Sequence, residues 1–129
     1  MSASADKSVG LWDADKGKRT KKYTGHSAVV NSVSMAQNNE PFAVSASDDC
    51  TAMVWDLRMR QSVDTMADPE GSGFPLTAVS FSADQDYIFT AGIDNVVRAW
   101  DRRRQEVAFI MEGHRGLALG FDTLLVVLA

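Results

Sequence analysis

Three Trp-Asp pairs, beginning at Trp12, Trp55 and Trp100, recur at intervals of 43 and 45 residues along this chain of 129 residues. An aspartate stands six residues before each Trp, and a hydroxyl side chain stands four residues before each of these aspartates. The pairs therefore belong to a longer repeat and are not chance dipeptides. A period of this length is typical of a chain built from copies of one small structural unit.

Between these markers the sequence predicts short strands separated by turns. Apolar residues alternate in segments such as 30–35, 42–47 and 51–56, and Gly, Pro, Asn and Asp separate the segments at spacings of about 8 to 12 residues. The pattern predicts an all-β fold of antiparallel sheets and nearly excludes helix. Four strands per repeat of ~40 to 45 residues are typical of a β-propeller blade. The core is expected to include the methionines on these strands, Met35, Met53, Met66 and Met111.

Aligned on its Trp residues, the chain divides into four segments. Residues 1–24 are expected to form a partial blade, residues 25–70 and 71–112 one blade each, and residues 113–129 the start of a truncated blade with a divergent tail. A propeller closes with ~4 to 8 blades, and a ring of seven needs roughly 300 residues. We therefore predict an incomplete propeller, with about two and a half blades of seven.

The polar residues of the repeat predict a structural hydrogen-bond network inside each blade. Each member would satisfy a buried partner that otherwise costs ~1 to 3 kcal/mol. Ser72 occupies in the third blade the position that His26 occupies in the second, so the network of the third blade is expected to be shorter or water-bridged. The predicted members are His26, Ser45, Asp49 and Trp55 in the second blade, Thr90, Asp94 and Trp100 in the third, and Ser2, Asp6 and Trp12 in the first.

A serine, a histidine and an aspartate in one network also suggest a catalytic triad, which we reject. A nucleophilic serine needs an exposed hydroxyl beside an oxyanion site, whereas the serine of this repeat should be buried against a Trp. Two histidines and one cysteine do not have the spacing of zinc ligands, and the sequence has no Gly-rich phosphate loop. We therefore predict no catalytic residue, no metal site and no cofactor.

The acidic balance of the chain limits its partners. A net charge of −4 and a pI near 5.0 do not provide the excess of Lys and Arg that direct binding to nucleic acid requires, so RNA is expected only as an indirect partner. A single cysteine permits no internal disulfide, which suits a nuclear or cytosolic protein. The first residues show no apolar core typical of a signal peptide, and no stretch approaches ~18 apolar residues, so we expect neither a membrane span nor secretion.

Basic residues concentrate in the turns that follow the Trp-Asp pairs. The run from Lys16 to Lys22 resembles a nuclear-localisation cluster. Charged residues exposed to solvent are ordinary in such turns, so we prefer the interpretation that these residues are simply solvated over the interpretation that they have a functional role. The candidate contacts for the acidic surface of a partner are Arg58, Arg60, Arg102, Arg103 and Arg104.

These residues, above all the run from Ser45 to Asp56, identify the chain as resembling the WD40-repeat family. Within that family it resembles the WD40 subunits of the spliceosomal U5 particle, through strings such as Gly92-Ile-Asp-Asn95 and Met111-Glu-Gly-His114. The resemblance implies a nuclear, non-catalytic scaffold that mediates protein–protein interactions in pre-mRNA splicing. It implies partners among the proteins of a multi-subunit complex and no small-molecule substrate.

The same repeats allow an alternative function. The motif Trp-Asp-x-Arg occurs twice, ending at Arg58 and at Arg103, and it is found in substrate receptors of cullin-RING ubiquitin ligases. The motif is short and is also common in unrelated WD40 proteins. A ligase receptor is therefore the alternative to the splicing scaffold, and an enzyme is a distant third.

Overall fold

A computed structural model describes residues 1–37, 39–67 and 73–112, and all the regular elements in these ranges are β-strands. The prediction of an all-β fold is confirmed. Across these three ranges there is no helix of the length and apolar character needed to cross a membrane.

Eleven strands form three antiparallel sheets, one for each repeat, and we call these sheets blades 1, 2 and 3. Within each blade the strands lie side by side in chain order, so each blade is a meander joined by short turns. The fourth expected segment, 113–129, lies outside the described residues. Blade 1 contains β1 (Ser2–Ala3), β2 (Ser8–Asp13) and β3 (Lys18–Thr24); blade 2 contains β4 (Val30–Met35), β5 (Phe42–Ser47), β6 (Ala52–Asp56) and β7 (Ser62–Met66); blade 3 contains β8 (Leu76–Phe81), β9 (Tyr87–Gly92), β10 (Val96–Asp101) and β11 (Glu106–Glu112).

Each Trp of the repeat lies at an irregularity in the pairing of the last two strands of its blade. The register shifts immediately before Trp12, Trp55 and Trp100. A bulge at such a point increases the local twist of the sheet and redirects the side chain that follows it. The same irregularity therefore sets the direction of all three indole rings.

The blades pack face to face, and most of the core lies in the two layers between them. Side chains alternate along β5 and β6, so that Ala43 and Trp55 face blade 1 whereas Val44 and Val54 face blade 3. The layer between blades 1 and 2 is built around Val9, Tyr23, Val30, Ala43 and Trp55. The layer between blades 2 and 3 includes Val44, Val54, Met66, Leu76, Phe81, Ile88 and Trp100.

The expected burial of the methionines is partly wrong. Met66 is buried and Met53 packs at the edge of the first layer, but Met35 and Met111 are 43% and 39% exposed. Both exposed residues lie at or next to the end of a strand, β4 and β11 respectively. A position on a strand therefore did not guarantee cover by the neighbouring sheet.

Blade 1 has a face that no other described sheet covers. Trp12 lies on this face and is 49% exposed, whereas Trp55 and Trp100, at the same position of the repeat, are 0% and 4% exposed. The difference arises because blade 1 covers Trp55 and blade 2 covers Trp100. An exposed indole on a sheet face is a site for association.

We expect the isolated chain to self-associate through the face around Trp12, because association removes this apolar surface from water. Sedimentation velocity over a series of concentrations should show oligomers or aggregates. The Trp12→Ser variant should shift the distribution toward smaller species. A monodisperse monomer with a sharp cooperative melt would contradict the expectation.

Candidate protein-interaction site

Blade 2 brings together all four residues of its predicted network. Trp55 Nε1 donates to Ser45 Oγ at 2.8 Å, and the same oxygen lies 2.7 Å from His26 Nε2. On the other side of the imidazole, Nδ1 lies 2.8 Å from Asp49 Oδ2. The four side chains form one continuous chain that starts between the blades and ends at the turn between β5 and β6.

The chemistry of Asp49 sets the direction of these hydrogen bonds. Burial alone would raise the pKa of Asp49, but hydrogen bonds from Thr51, from His26 and from the backbone N–H groups of Ser27 and Thr51 outweigh burial and lower the pKa below its ordinary value of 3.8. The carboxylate is therefore ionised at neutral pH and can only accept.

The tautomer of His26 follows from this ionisation. Because Asp49 can only accept, Nδ1 of a neutral imidazole must donate to it, and Nε2 is then an acceptor. Ser45 consequently donates its hydroxyl proton to Nε2 and accepts the indole N–H of Trp55. Each polar group in this four-residue network has a partner of the opposite kind, which removes the cost of burying it.

The order Ser45, His26, Asp49 is also the order of hydrogen bonds in a catalytic triad. Ser45 is 0% exposed, and its oxygen is held between the indole of Trp55 and the imidazole. A substrate carbonyl has no path to this hydroxyl in the described conformation. The arrangement therefore serves to satisfy buried polar atoms.

Blades 1 and 3 contain the hydroxyl and Trp pair but direct their aspartates elsewhere. Trp12 Nε1 donates to Ser2 Oγ at 2.7 Å, and Trp100 Nε1 donates to Thr90 Oγ1 at 2.9 Å. In blade 1, Asp6 accepts from the hydroxyl and backbone N–H of Ser8. Its other carboxylate oxygen lies 3.8 Å from Lys22 Nζ.

In blade 3 the aspartate of the repeat is bound by an arginine, whereas the equivalent aspartate of blade 2 is bound by a histidine. Arg98 Nη2 donates to Asp94 Oδ2 at 2.6 Å, and both side chains are largely buried. Sequence reasoning missed Arg98. The available signal was a basic residue at the position that Met53 occupies in blade 2. The expected substitute, Ser72, lies outside the described residues.

The degree of burial predicts how much each hydroxyl contributes to stability. Ser45→Ala should lower the free energy of unfolding by about 1 to 3 kcal/mol, because it leaves two buried nitrogens, on His26 and Trp55, without their partner. Thr90→Val should cost less, since it affects one buried indole. Ser2→Ala is the matched control and should cost little, because water can reach the exposed indole of Trp12.

Urea unfolding of the three variants at one protein concentration measures these differences. Equal losses for Ser45→Ala and Ser2→Ala would show that burial does not determine the contribution of the network.

The five candidate arginines all lie at one end of the blades. Arg58 and Arg60 are in the turn between β6 and β7, and Arg102, Arg103 and Arg104 are in the turn between β10 and β11. In a meander these two turns lie at the end opposite to the turn between β5 and β6, which carries Asp49. Topology therefore separates the candidate contacts from the network.

Arg58 is held by the aspartate of its own motif. Its Nε and Nη2 donate to the two carboxylate oxygens of Asp56 at 2.9 and 2.7 Å. These hydrogen bonds, together with one from the backbone N–H of Arg58, lower the pKa of Asp56 from 3.8 to about 2. In this ion pair 69% of the Arg58 side chain is still exposed, so a partner can reach it.

The other arginines differ in their freedom to contact a partner. Arg102 is partly buried, with its guanidinium carbon 5.3 Å from the ring centroid of Phe42 and 5.2 Å from that of Phe81. Arg60 and Arg103 are exposed, and Arg104 lies 3.9 Å from Glu106 with 76% of its side chain exposed. Arg102 therefore joins blades 2 and 3, while the exposed arginines face solvent.

Arg58→Gln should raise the pKa of Asp56 from about 2 toward its ordinary value of 3.8, because the charge-assisted hydrogen bonds are lost. In the parent chain this carboxylate stabilises the fold fully above pH 3.8, and the stabilisation is lost as the pH falls through about 2. A carbon-13 NMR titration of the Asp56 carboxyl group measures the change. Arg60→Gln is the control, and an equal pKa in the parent and in Arg58→Gln would exclude the role assigned to Arg58.

Comparison with known proteins identifies the family of these repeats. The family model for the WD domain, G-beta repeat (WD40) matches residues 17–56 and 62–101. The chain belongs to the WD40 family. Its resemblance to that family is thereby confirmed, and proteins built from WD40 repeats are generally non-catalytic scaffolds.

Several curated WD40 relatives have names from pre-mRNA splicing. The chain is 42% identical over 104 residues to the U5 small nuclear ribonucleoprotein 40 kDa protein of Dictyostelium discoideum. This match covers 81% of this chain and 28% of the relative. It is 34% identical over 110 residues to the human protein of the same name, covering 85% of this chain and 30% of the relative. It is 32% identical over 115 residues to the pre-mRNA-splicing factor cwf17 of Schizosaccharomyces pombe, covering 89% and 33%.

The WD40 chain described here therefore spans about a third or less of the length of these relatives. Their names agree with the predicted resemblance to WD40 subunits of the spliceosomal U5 particle. They give no support to the alternative of a ubiquitin ligase receptor.

Proposed function

We propose that this chain acts as part of a non-catalytic WD40 scaffold that holds proteins together in the spliceosomal U5 particle. The observation that carries the proposal is the 42% identity over 81% of the chain to a relative named as a U5 small nuclear ribonucleoprotein subunit. The relative named as a pre-mRNA-splicing factor supports the same function independently. A nuclear location follows from this function.

The distribution of polar residues supports a scaffold. The Ser, His and Asp residues that resemble catalytic groups are used to satisfy buried atoms between blades, and Ser45 is inaccessible. The exposed charges lie in the turns, where a protein partner can reach them. We propose that Arg60 and Arg104, which are outside the Trp-Asp-x-Arg motif, contact the acidic surface of a partner, with Arg102 positioned behind them.

RNA is proposed to be an indirect partner. The net charge of −4 supplies little of the phosphate neutralisation that direct binding requires. Purified protein should therefore bind single-stranded RNA no more tightly than a Kd of roughly 10⁻⁴ to 10⁻⁶ M at physiological salt, the range of non-specific contacts on DNA. Tighter binding that resists salt would contradict protein-mediated contact.

Recovery from nuclear extract tests the proposed scaffold. A tagged form of the chain should bring down the U5 RNA together with large U5 proteins. Arg58→Glu and Arg103→Glu change the arginine of each Trp-Asp-x-Arg motif and should leave this recovery largely intact. Recovery of a ligase adaptor without spliceosomal RNA, abolished by the same two variants, would instead establish the ligase function.

A further inference from the structure

A cavity of about 320 Å³ lies between blades 2 and 3, at the end of the strands where the candidate arginines are found. It is bounded by the turn between β4 and β5, by β7, by the turn between β8 and β9, and by the turn between β10 and β11. Neither the repeat pattern nor the WD40 hydrogen-bond network accounts for it. Its charged lining consists of Glu40, Asp64, Asp84 and Asp86 with Arg102 and Arg103.

Gln85 also lines this cavity and has an unsatisfied acceptor. The residue is 5% exposed, and its Nε2 donates to the backbone oxygen of Gln37 in blade 2. That hydrogen bond fixes the amide, because a flipped amide would place two acceptors together. Gln85 Oε1 is buried and has no hydrogen-bond partner in the described part of the chain. A buried acceptor of this kind gains from a donor that enters the site.

The positive charge of Arg102 is already engaged by the protein. Its Nη1 donates to the backbone oxygen of Gln85 at 2.9 Å, and its guanidinium lies over the rings of Phe42 and Phe81. The cation therefore forms part of the wall. The carboxylates outnumber the arginines by four to two, so the cavity has a negative balance.

One of the four carboxylates is held by hydrogen bonds from its own turn. The Ser82 hydroxyl and the backbone N–H of Asp86 hold the pKa of Asp84 below its ordinary value. The side chains of Glu40 and Asp86 lie at the exposed rim. Negative groups and an unpaired acceptor together favour a ligand that is a cation and carries several hydrogen-bond donors.

The spacing of these groups favours an organic cation over a metal ion. In the described residues no three His, Cys, Asp or Glu side chains converge as a metal-binding group. Acceptors spread along a cavity wall suit a side chain whose several N–H groups point in different directions. A guanidinium has five such donors and an ammonium has three.

We propose that this cavity binds a lysine or arginine side chain from a basic segment of a protein partner. The proposal rests on the proposed scaffold function and specifies the chemistry of one contact. The basic side chain donates to the rim carboxylates of Glu40 and Asp86, and it reaches the buried Gln85 Oε1 once the side chains that cover this oxygen move aside.

The test uses the purified full chain and three fluorescent hexapeptides in which glycine alternates with arginine, lysine or glutamate. The arginine or the lysine peptide should bind, and the glutamate peptide should not. In Glu40→Gln/Asp86→Asn, which removes two exposed charges, the Kd of the bound peptide should rise about fivefold, as expected for two partly exposed ion pairs. Asp15→Asn/Glu112→Gln removes the same net charge outside the cavity and should change the Kd by less than about twofold.

A second measurement does not depend on any variant. Addition of the basic peptide should shift the side-chain amide resonance of Gln85 in a nitrogen-15 NMR spectrum of the parent chain. An unshifted resonance, equal weakening by both double variants, or equal binding of the glutamate peptide would each overturn the proposal. Recovery of U5 RNA from extract is read separately, so a failure of the cavity and a failure of the scaffold function can be told apart.

Discussion

The two apolar faces of each sheet are the constraint on which the rest of this structure depends. In blade 2, β5 is buried at every position except its first, and β9 of blade 3 has the same pattern. A sheet with one apolar face can lie against a single partner, whereas a sheet with two requires cover on both sides. Blade 2 meets this requirement between blades 1 and 3, and the face of blade 1 around Trp12 does not.

Burial on both faces creates a second problem, because polar atoms of the repeat are enclosed with the apolar ones. The hydrogen bond from the Trp indole to a hydroxyl on the preceding strand is the common solution, and it occurs in all three blades. Beyond that pair the blades differ. Blade 2 extends the chain through His26 to Asp49, while Asp94 in blade 3 binds Arg98.

The meander also separates two kinds of polar residue. Turns at one end carry the aspartates of the networks, and turns at the other end carry the candidate arginines and the cavity beside Gln85. Residues at the first end are needed to satisfy buried atoms, so they have little freedom to contact a partner. The second end is where exposed charge and an unpaired acceptor coexist, and it is therefore the better candidate for recognition.

The sequence by itself determined the all-β class, the number of repeats and the position of nearly every strand, because the period of 43 to 45 residues and the alternation of apolar residues are local features of the chain. It also indicated the four residues of the blade 2 network through their fixed spacing. Tertiary structure alone decided which indoles are buried, which partner each aspartate takes, and that Arg102 lies between Phe42 and Phe81. These outcomes depend on contacts between blades or between neighbouring strands, and the distances involved are fixed only after the sheets have packed.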